Sequence, residues 1–524
     1  MQREQMKGRL GGEPFDVIVI GGGATGLGVA VDASSRGFRT LLLEAHDFSK
    51  GTSSRSTKLV HGGVRYLEQL NFSLVMEALR ERGILYENAP HLVQNLGFVV
   101  PRYKWWEGPF YGVGLKLYDA LAGKQNLAPS RALDRSATIA AIPNVQQEDL
   151  IGGVMYHDAQ FDDARMAITL AQTAADHGAV VLNGMQVTEL VKSEGGRGQT
   201  CGVVARDLET GETHRILAKV TVNATGIFSD ALRQLDDPDA PPMTAPSQGV
   251  HLVLDRSFQP GPNAIMVPQT DDGRVLFVIP WHGRVLVGTT DTPMPEAQLE
   301  PRALPEEIEF ILRNAGRYLE KDPSRSDVLS VFAGQRPLVR DVESSDSKKI
   351  SREHVVFVSN SGLVTILGGK WTTYRKMAED ALVDAIQVGG LRAEPCVTER
   401  LKLHGWLARD DPAMPAEDAM RVYGADAPAV ADLAREDPAW GEPIHPRLPY
   451  RGVHVVWAVR HELARGLDDV LARRTRSLLL DARAAAEAAP RVAAIMAAEL
   501  GRDDAWVRRE VEEFGALARG YVAD

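Results

Sequence analysis

Residues 53–67, SSRSTKLVHGGVRYL, concentrate hydrogen-bond donors in a short stretch of chain. The stretch contains four small hydroxyl residues, three basic residues, a histidine and the Gly62–Gly63 pair. A hydrophobic core has no place for so many polar groups, and a solvated loop does not need them. This composition indicates a segment that serves a ligand rather than a core or a surface.

A second chemical motif lies near the start of the chain. Gly21, Gly23 and Gly26 form G-x-G-x-x-G directly after an apolar run. In this spacing the first glycine permits a tight turn, the second lets a pyrophosphate approach the backbone, and the third lets a helix pack close to the sheet. Glu44 stands 18 residues beyond Gly26, where a carboxylate can accept hydrogen bonds from ribose hydroxyls. The motif predicts an adenine dinucleotide, either NAD or FAD.

The elements around the glycines form a βαβ opening and predict an α/β fold. Residues 15–20, FDVIVI, are typical of a buried parallel strand, and a helix is predicted from about Ala24 to a stop at Gly37. Residues 39–44 form the next strand. The motif begins about 20 residues into the chain, and the other sheet segments are spread over the following 350 or so residues. This wide spacing favours FAD over NAD, because the long isoalloxazine arm of FAD is wrapped by discontinuous segments.

Later segments predict further helices. Residues 158–178 are expected to form one helix, with Gly178 as its stop. From about residue 400 the composition shifts to Ala, Arg, Glu and Leu, which predicts a helical C-terminal domain with an interruption at Pro490. One face of a helix in this domain is expected from the spacing of Val459, Leu463, Leu467 and Val470.

Composition narrows the class of protein. The chain has 524 residues, 44% hydrophobic and 25% charged, which is typical of a globular protein of two or three domains. The net charge of −11 disfavours nucleic-acid binding. The two cysteines, Cys201 and Cys396, lie in no metal-ligand spacing, so neither a metal site nor a disulfide is predicted. The N-terminus lacks an apolar signal core, and no apolar run reaches the roughly 18 residues that a spanning helix needs.

One segment suggests contact with a membrane surface. Residues 102–124 interleave Trp105, Trp106, Phe110 and other aromatic residues with arginine and lysine. Interfacial membrane contacts have this composition, with rings at headgroup depth and cations beside anionic lipid. The alternative is a folded excursion whose aromatic side chains pack inward.

Several blocks of the sequence resemble FAD-dependent glycerol-3-phosphate dehydrogenases, and the resemblance covers nearly the whole chain. The most specific of them are STKLVHGGVRYLE and GGKWTTYRK. The others are IGGGATGLGVAVDASSRG, NATG, IPWHGRVLVGTTDT, GQRPLVRD and the C-terminal VRHELARGLDDVLARRTRSLLLD.

The resemblance implies a fold and a reaction. The fold would combine an FAD-binding Rossmann-like domain of the glutathione-reductase type, a D-amino-acid-oxidase-like α+β substrate domain and a helical C-terminal domain at 401–524. The first two would interleave over 1–400, with FAD segments near 14–100, 158–245 and 345–390, and substrate segments near 101–157 and 246–344. The reaction would be oxidation of sn-glycerol 3-phosphate to dihydroxyacetone phosphate, with electrons passing from FAD to quinone. The protein would be cytoplasmic and peripherally bound to the inner face of the cell membrane; a homodimer is left open.

The resemblance also assigns the cofactor contacts. FAD, bound non-covalently, is expected to touch residues of the two glycine motifs, of the donor-rich segment and of the block around Lys370. The expected contacts are Gly21, Gly23, Ala24, Thr25, Gly26, Glu44, Ser53, Ser54, Thr57, Lys58, His61, Gly62, Val187, Ala224, Thr225, Gly226, Gly369, Lys370 and Thr372.

Substrate and catalytic roles follow from matched blocks. Arg65 and Arg336 are expected to hold the phosphate dianion, because planar guanidinium groups do this best, and Tyr66 adds a hydroxyl donor. His251 is expected to accept the C2 hydroxyl proton, a task that Arg336 or a water could share. Lys370 is expected to stabilise negative charge on the reduced cofactor.

Some roles stay open at this point. His61 either orients the flavin or carries it covalently, and Arg473, Arg474 and Arg476 complement a helix dipole, face the core domain or face lipid. The alternative enzymes are an oxidase that uses O₂ on the same substrate and an oxidase of amino acids or N-methyl amines. A flavin-bearing interaction module is the non-enzymatic alternative.

Overall fold

The computed structural model describes residues 1–64, 71–194, 198–340 and 354–523. Two residues predicted to bind substrate, Arg65 and Tyr66, lie outside these ranges. All structural statements below concern the described residues.

The strands and helices follow one another along the described chain in an order that begins and ends with helices. The strands are β1 (Phe15–Ile20), β2 (Thr40–Leu43), β3 (Leu59–Val60), β4 (Val93–Arg102), β5 (Arg131–Asp134), β6 (Gly152–Phe161), β7 (Val180–Leu182), β8 (Met185–Lys192), β9 (Thr200–Asp207), β10 (Thr213–Asn223), β11 (Thr244–Asp255), β12 (Ala264–Val267), β13 (Leu276–Trp281), β14 (Arg284–Gly288), β15 (Thr292–Pro293), β16 (Val328–Val339), β17 (His354–Val358) and β18 (Val364–Gly368). The helices are α1 (Arg3–Lys7), α2 (Ala24–Ser35), α3 (Phe72–Asn88), α4 (Glu107–Ala122), α5 (Arg135–Ala141), α6 (Asp163–Asp176), α7 (Ser229–Asp236), α8 (Pro305–Gly316), α9 (Tyr374–Val388), α10 (Asp418–Arg421), α11 (Ala427–Asp432), α12 (Gly452–His461), α13 (Ser477–Leu480), α14 (Ala482–Leu500) and α15 (Asp504–Arg519).

The first sheet carries the predicted βαβ opening. Its order is β17-β18-β10-β1-β2-β7, and β1 runs parallel to both β2 and β10. The strands β1 and β2 and the C-terminal part of β10 are largely buried, because helices α2, α6 and α9 cover one face while α1 and the β8–β9 hairpin cover the other. The carboxyl ends of β1, β2 and β10 therefore meet at one edge of this sheet.

The second sheet is largely antiparallel. Its order is β15-β11-β14-β13-β12-β4-β6-β3, with β16 on β11 and β5 on β6. The long pair β11–β16 brings residues 244–254 beside residues 328–339. Strands β3 and β4 belong to this sheet although they fall largely within the 14–100 segment expected to bind FAD; the limits of the domains stay predictions.

The C-terminal helices pack against the second sheet. Leu467, Val470 and Leu478 share one hydrophobic cluster with Trp281 and Phe332 of that sheet. This packing places the helical region behind the sheet face that carries β13 and β16.

Three details of the helix prediction are wrong. Residues 158–161 continue β6, and α6 begins only at Asp163 because the Asp162 side chain accepts a hydrogen bond from the Arg165 N–H and caps the helix. The face expected over 459–470 is broken, because α12 ends at His461. Helix α14 runs without interruption through Pro490, since tertiary packing of its alanine-rich face outweighs one lost hydrogen bond.

Candidate active site

The G-x-G-x-x-G turn has the geometry that its spacing predicts. Gly21 has φ of 108°, and a Cβ there would lie 2.6 Å from the Ala224 carbonyl oxygen. A Cβ on Gly26 would overlap the carbonyl oxygen of Gly21. Only glycine lets α2 begin this close to β1, so the first-turn N–H groups of α2 stand at the edge of the sheet without intrahelical partners.

Polar side chains surround the start of this helix. The Ser53 hydroxyl accepts a hydrogen bond from the Ala24 N–H at 3.0 Å. The Glu44 carboxylate accepts from the Gly22 N–H at 2.7 Å and from the His46 N–H at 2.8 Å, and burial raises its pKa. Each carboxylate oxygen keeps acceptor capacity for a further donor, such as a ribose hydroxyl.

One cavity of about 890 Å³ joins the two sheets and contains most of the predicted site residues. From the dinucleotide motif and the strand ends it is lined by Gly21, Gly23, Ala24, Thr25, Glu44, Val187, Ala224, Thr225 and Gly226. From the donor-rich segment and the second sheet it is lined by Ser53, Thr57, His61, His251, Arg336, Gly369, Lys370 and Thr372. These residues are spread from Gly21 to Thr372 along the sequence but border one continuous space.

Lys58 was expected to contact the cofactor, but its ammonium group has a structural task. The side chain is fully buried, and its Nζ donates to the Ser54 carbonyl at 2.9 Å, the Ser56 carbonyl at 3.0 Å and Asp163 Oδ2 at 2.7 Å. Burial lowers the pKa of Lys58 to about 8, although the Asp163 carboxylate opposes that change. The structure therefore assigns Lys58 to the support of the loop.

Three other expected cofactor contacts do not line the cavity. Gly26 packs against the strand below it. Ser54 is buried, and its carbonyl oxygen accepts hydrogen bonds from Lys58 and Arg476. The Gly62 N–H donates to the Tyr118 hydroxyl at 2.9 Å, whereas its neighbours His61 and Gly63 line the cavity.

His251 lies on β11 at the cavity wall and is only 2% exposed. Its Nε2 is 2.9 Å from Thr57 Oγ1, and its ring stacks on Phe332 with a centroid distance of 5.0 Å. Burial holds the pKa of His251 well below its usual range, and the positive charges of Lys58 and Arg336 act in the same direction. The imidazole is therefore neutral near pH 7, with one ring nitrogen able to accept a hydrogen bond or a proton.

Arg336 lies on β16 and combines an ion pair with a place in the cavity wall. Its Nη1 is 3.0 Å from Asp291 Oδ1, and its Nη2 donates to the Thr290 carbonyl at 3.1 Å. These contacts orient the guanidinium plane while the side chain stays 31% exposed. A fork held in this way can accept an anionic group of a ligand.

The block after β18 brings Lys370 and Thr372 to the same cavity. Gly368 and Gly369 have φ of 75° and 76°, which lets the chain turn sharply before Lys370. The Thr372 hydroxyl lies 3.3 Å from the His61 N–H and 3.4 Å from the His61 carbonyl. This pair of contacts holds the donor-rich segment against the start of α9.

The three C-terminal arginines face the core of the protein. Arg473 and Arg474 both bind the Asp47 carboxylate, with Arg474 Nη1 2.6 Å from Asp47 Oδ2. The Arg476 Nη2 donates to the Ser54 carbonyl at 2.8 Å and to Asp163 Oδ1 at 2.9 Å. All three are buried, so they fasten the 47–58 loop rather than meet lipid.

Sequence patterns did not reveal the residue at the centre of this network. The Asp163 carboxylate accepts hydrogen bonds from the Ser56 N–H at 3.0 Å, the Ser56 hydroxyl at 2.7 Å and the Lys58 and Arg476 side chains. The only signal in the sequence is the Asp162–Asp163 pair at the junction of β6 and α6. The Trp371 Nε1, which donates to the Ser53 carbonyl at 2.8 Å, was also missed.

Helix α4 presents an exposed apolar face. Trp106, Phe110, Val113 and Leu117 recur at helical spacing, and Val113 is 72% exposed. On the opposite face Tyr118 is buried and meets the ring of Tyr156 at a centroid distance of 6.2 Å. None of the helices in the described ranges is both long enough and apolar enough to span a bilayer.

The donor set fits an extended FAD molecule. Such a ligand needs bare backbone and a helix N-terminus for its pyrophosphate, and the glycine turn and the start of α2 offer both. It also needs an acceptor for ribose hydroxyls, which Glu44 after β2 provides, and further polar groups, which residues 53–57 provide.

Two family models match the chain. The family described as FAD dependent oxidoreductase matches residues 16–375, and that described as C-terminal domain of alpha-glycerophosphate oxidase matches residues 364–507. Together they confirm the predicted fold class, with FAD as cofactor and a helical C-terminal region.

Relatives of known name agree with these matches. The chain is 42% identical to the mitochondrial glycerol-3-phosphate dehydrogenase of Bos taurus, over 95% of this chain and 72% of that protein. It is also 42% identical to the mitochondrial enzyme of Arabidopsis thaliana, over 96% and 85%.

Solved structures extend the comparison to the fold. The FAD complex of glycerol-3-phosphate dehydrogenase from Bacillus halodurans superposes with a TM-score of 0.80 at 31% identity, covering 99% of this chain and 97% of that one. L-alpha-glycerophosphate oxidase from Mycoplasma pneumoniae shares the fold at 18% identity and a TM-score of 0.57. On these matches and on its own site, the chain belongs to the family of FAD-dependent glycerol-3-phosphate dehydrogenases.

Proposed function

We propose that this protein oxidises sn-glycerol 3-phosphate to dihydroxyacetone phosphate and passes the electrons to a quinone at a membrane surface. The observation that carries the proposal is the single cavity in which the dinucleotide turn meets His251, Arg336 and Lys370. A neutral base and two cations thus border one space, and FAD bound at the dinucleotide turn would supply the hydride acceptor there.

The phosphate of the substrate requires a fixed positive charge. Arg336 supplies it, because Asp291 and the Thr290 carbonyl hold its guanidinium plane in place while the side chain borders the cavity. Arg65 is proposed as a second phosphate ligand on its sequence position alone.

Oxidation of the C2 hydroxyl requires that a proton and a hydride leave together or in close succession. FAD, when bound, supplies the hydride acceptor. His251 is neutral at physiological pH, since burial and two nearby cations hold its pKa low, and its unprotonated nitrogen serves as the proton acceptor. Lys370 supplies positive charge beside the place where negative charge develops on reduction.

An anaerobic titration tests the reaction. Purified holoenzyme is mixed with glycerol 3-phosphate in the absence of oxygen, and the flavin absorbance near 450 nm is followed. We expect bleaching with glycerol 3-phosphate and formation of dihydroxyacetone phosphate in equal amount, whereas glycine or N-methylglycine should leave the flavin oxidised. Bleaching by the amines and not by the phosphate ester would refute the proposal.

The apolar part of the cavity supports an apolar electron acceptor. Phe98, Tyr156, Met266 and Phe277 line it, and the rings of Phe98 and Tyr156 stack at 5.2 Å. Tyr156 contacts the inner face of α4, so one helix diameter of about 10 Å separates this wall from the exposed apolar face of that helix. A quinone held in a lipid surface under α4 would approach the cavity on this side.

Vesicle binding tests the membrane part of the proposal. Val113→Glu places a charge in the exposed α4 face, and we expect it to lower sedimentation of the holoenzyme with phosphatidylglycerol vesicles and to slow reduction of a short-chain ubiquinone in them. The matched control is Leu208→Glu, which places the same charge at an exposed apolar residue outside α4. Equal binding of Val113→Glu and wild type would contradict membrane contact through α4.

Peroxide formed in air in proportion to substrate would instead favour an oxidase.

A further inference from the structure

The hydrogen bond between Thr57 and His251 joins two parts of the chain that are 194 residues apart. Thr57 lines the cavity and is half-buried, whereas His251 is 2% exposed. The Thr57 hydroxyl was expected to touch the cofactor. Its position against the imidazole gives it a second task.

Neither ring nitrogen of His251 offers an open lone pair to a ligand. Nδ1 is enclosed and makes no hydrogen bond to any residue that the structure describes, and Phe332 covers one face of the ring. Nε2 is 2.9 Å from Thr57 Oγ1. A hydroxyl in the cavity therefore meets the Thr57 oxygen on its way to the imidazole.

The position of Thr57 is set by its neighbours in the chain. The Ser56 N–H and hydroxyl both donate to Asp163 Oδ2, at 3.0 and 2.7 Å. The Lys58 N–H donates to the Ser56 hydroxyl at 3.0 Å, and the Lys58 ammonium donates to Asp163 at 2.7 Å. Thr57 lies between two residues that are tied to one buried carboxylate, so its side chain is held before substrate arrives.

We propose that Thr57 is a catalytic residue that relays the proton from the C2 hydroxyl of the substrate to His251. In the tautomer that leaves Nε2 unprotonated, the Thr57 hydroxyl donates to Nε2. The C2 hydroxyl proton moves to Thr57 Oγ1 while the Thr57 proton moves to His251 Nε2, and FAD, when bound, would accept the hydride of C2. The C2 carbonyl forms and His251 becomes protonated, so charge and electrons balance. The relay rests on the proposed function of His251 as the final proton acceptor.

Two variants of the holoenzyme test the relay. Thr57→Val keeps the volume of the side chain without the hydroxyl, and we expect the rate constant for anaerobic flavin reduction to fall by about 10²- to 10⁴-fold. KM for glycerol 3-phosphate and FAD content should stay within about threefold of wild type, because substrate binding is left intact. Thr57→Ser restores the hydroxyl and should recover most of the rate.

Matched changes separate this inference from the proposed function. Thr40→Val removes a buried hydroxyl bonded to the Phe38 carbonyl at 2.9 Å, away from the cavity, and should leave the rate unchanged. His251→Gln should lose as much rate as Thr57→Val, and the double variant should lose no more than either alone.

Each outcome leads to a decision. A loss in His251→Gln with full activity in Thr57→Val overturns the relay and leaves His251 as a direct base. Full activity in both variants overturns the proposed role of His251. If Thr57→Val does not retain FAD, the proton inventory of the wild-type reduction decides: a bowed dependence on deuterium content supports two protons in motion, and a linear one overturns the relay.

Discussion

Replacement of Arg476 by methionine tests how the C-terminal region supports the cofactor loop. The guanidinium group is 1% exposed and donates to the Ser54 carbonyl, Asp163 Oδ1 and the Ala472 carbonyl at 2.8 to 2.9 Å. Methionine fills a similar volume but leaves the buried Asp163 carboxylate with one cation fewer. Removal of one partner from a buried ion pair costs about 3–5 kcal/mol.

The size of the chain converts this energy into a temperature. An unfolding entropy of about 2.1 cal/mol/K per residue amounts to roughly 1.1 kcal/mol/K over 524 residues. The loss should therefore lower the temperature of cooperative unfolding of the holoenzyme by at least about 3 °C. Because Ser54 belongs to the segment that lines the cofactor cavity, FAD should also be released at lower temperature.

Two thermal scans of the same samples check the prediction. Flavin fluorescence reports FAD release, and circular dichroism reports unfolding. Arg491→Met, at an exposed arginine with one hydrogen bond to the Ala439 carbonyl, is the control and should match wild type within about 0.5 kcal/mol. If Arg476→Met releases FAD and unfolds at the wild-type temperatures, the C-terminal arginine does not support the loop and the reasoning fails.

Other changes address the turn, the phosphate ligand and a partly exposed histidine between two carboxylates. Gly26→Ala should lower FAD affinity by about tenfold or more, since an added Cβ overlaps the Gly21 carbonyl. The control is Gly112→Ala, which also lies inside a helix but has open space around the added Cβ and should leave the affinity unchanged. Equal FAD affinities of the two variants would contradict this. Arg336→Lys should raise KM for glycerol 3-phosphate by about 10- to 100-fold with FAD content unchanged. The reason is that an ammonium group cannot bind Asp291 and a phosphate together as a planar guanidinium group does. An unchanged KM would show that Arg336 does not bind the phosphate. His404 lies between two carboxylates that raise its pKa to about 9, although burial opposes them. The stabilisation that the protonated imidazole contributes is therefore complete below about pH 6.5 and is lost as the pH rises through 9. In urea denaturation experiments across this pH range, the difference in unfolding free energy between wild type and His404→Gln should shrink by up to roughly 3 kcal/mol.

The dinucleotide turn is the part of the site that local sequence predicts well. Gly21 and Gly26 act within a few residues of chain, on a strand and a helix that follow directly. Glu44 directly follows the next strand, so its place beside the turn follows from parallel pairing of β1 with β2. Each of these contacts depends on neighbours in one supersecondary unit, and spacing alone is enough to specify them.

The choice between a cofactor contact and a structural contact was not local. Lys58 occurs in a segment rich in donors, and its residue type suits a phosphate as well as a carboxylate. Its actual partner, Asp163, is 105 residues away and belongs to a different element. Once that carboxylate is buried behind the loop, the ammonium group must pair with it, because an isolated buried charge is far more costly than a lost contact with a ligand.

Residue types and short spacings thus predict an adenine dinucleotide bound through a βαβ turn, and the matched sequence blocks add an arginine, a histidine and a lysine suited to an anionic alcohol. The pairing of Thr57 with His251, and of Arg476 with a loop 422 residues away, is decided only when two sheets and a helical region pack together. Burial then fixes the protonation state of His251 and the partners of each buried cation. These properties depend on desolvation and on distances between remote segments, which no local pattern in the chain contains.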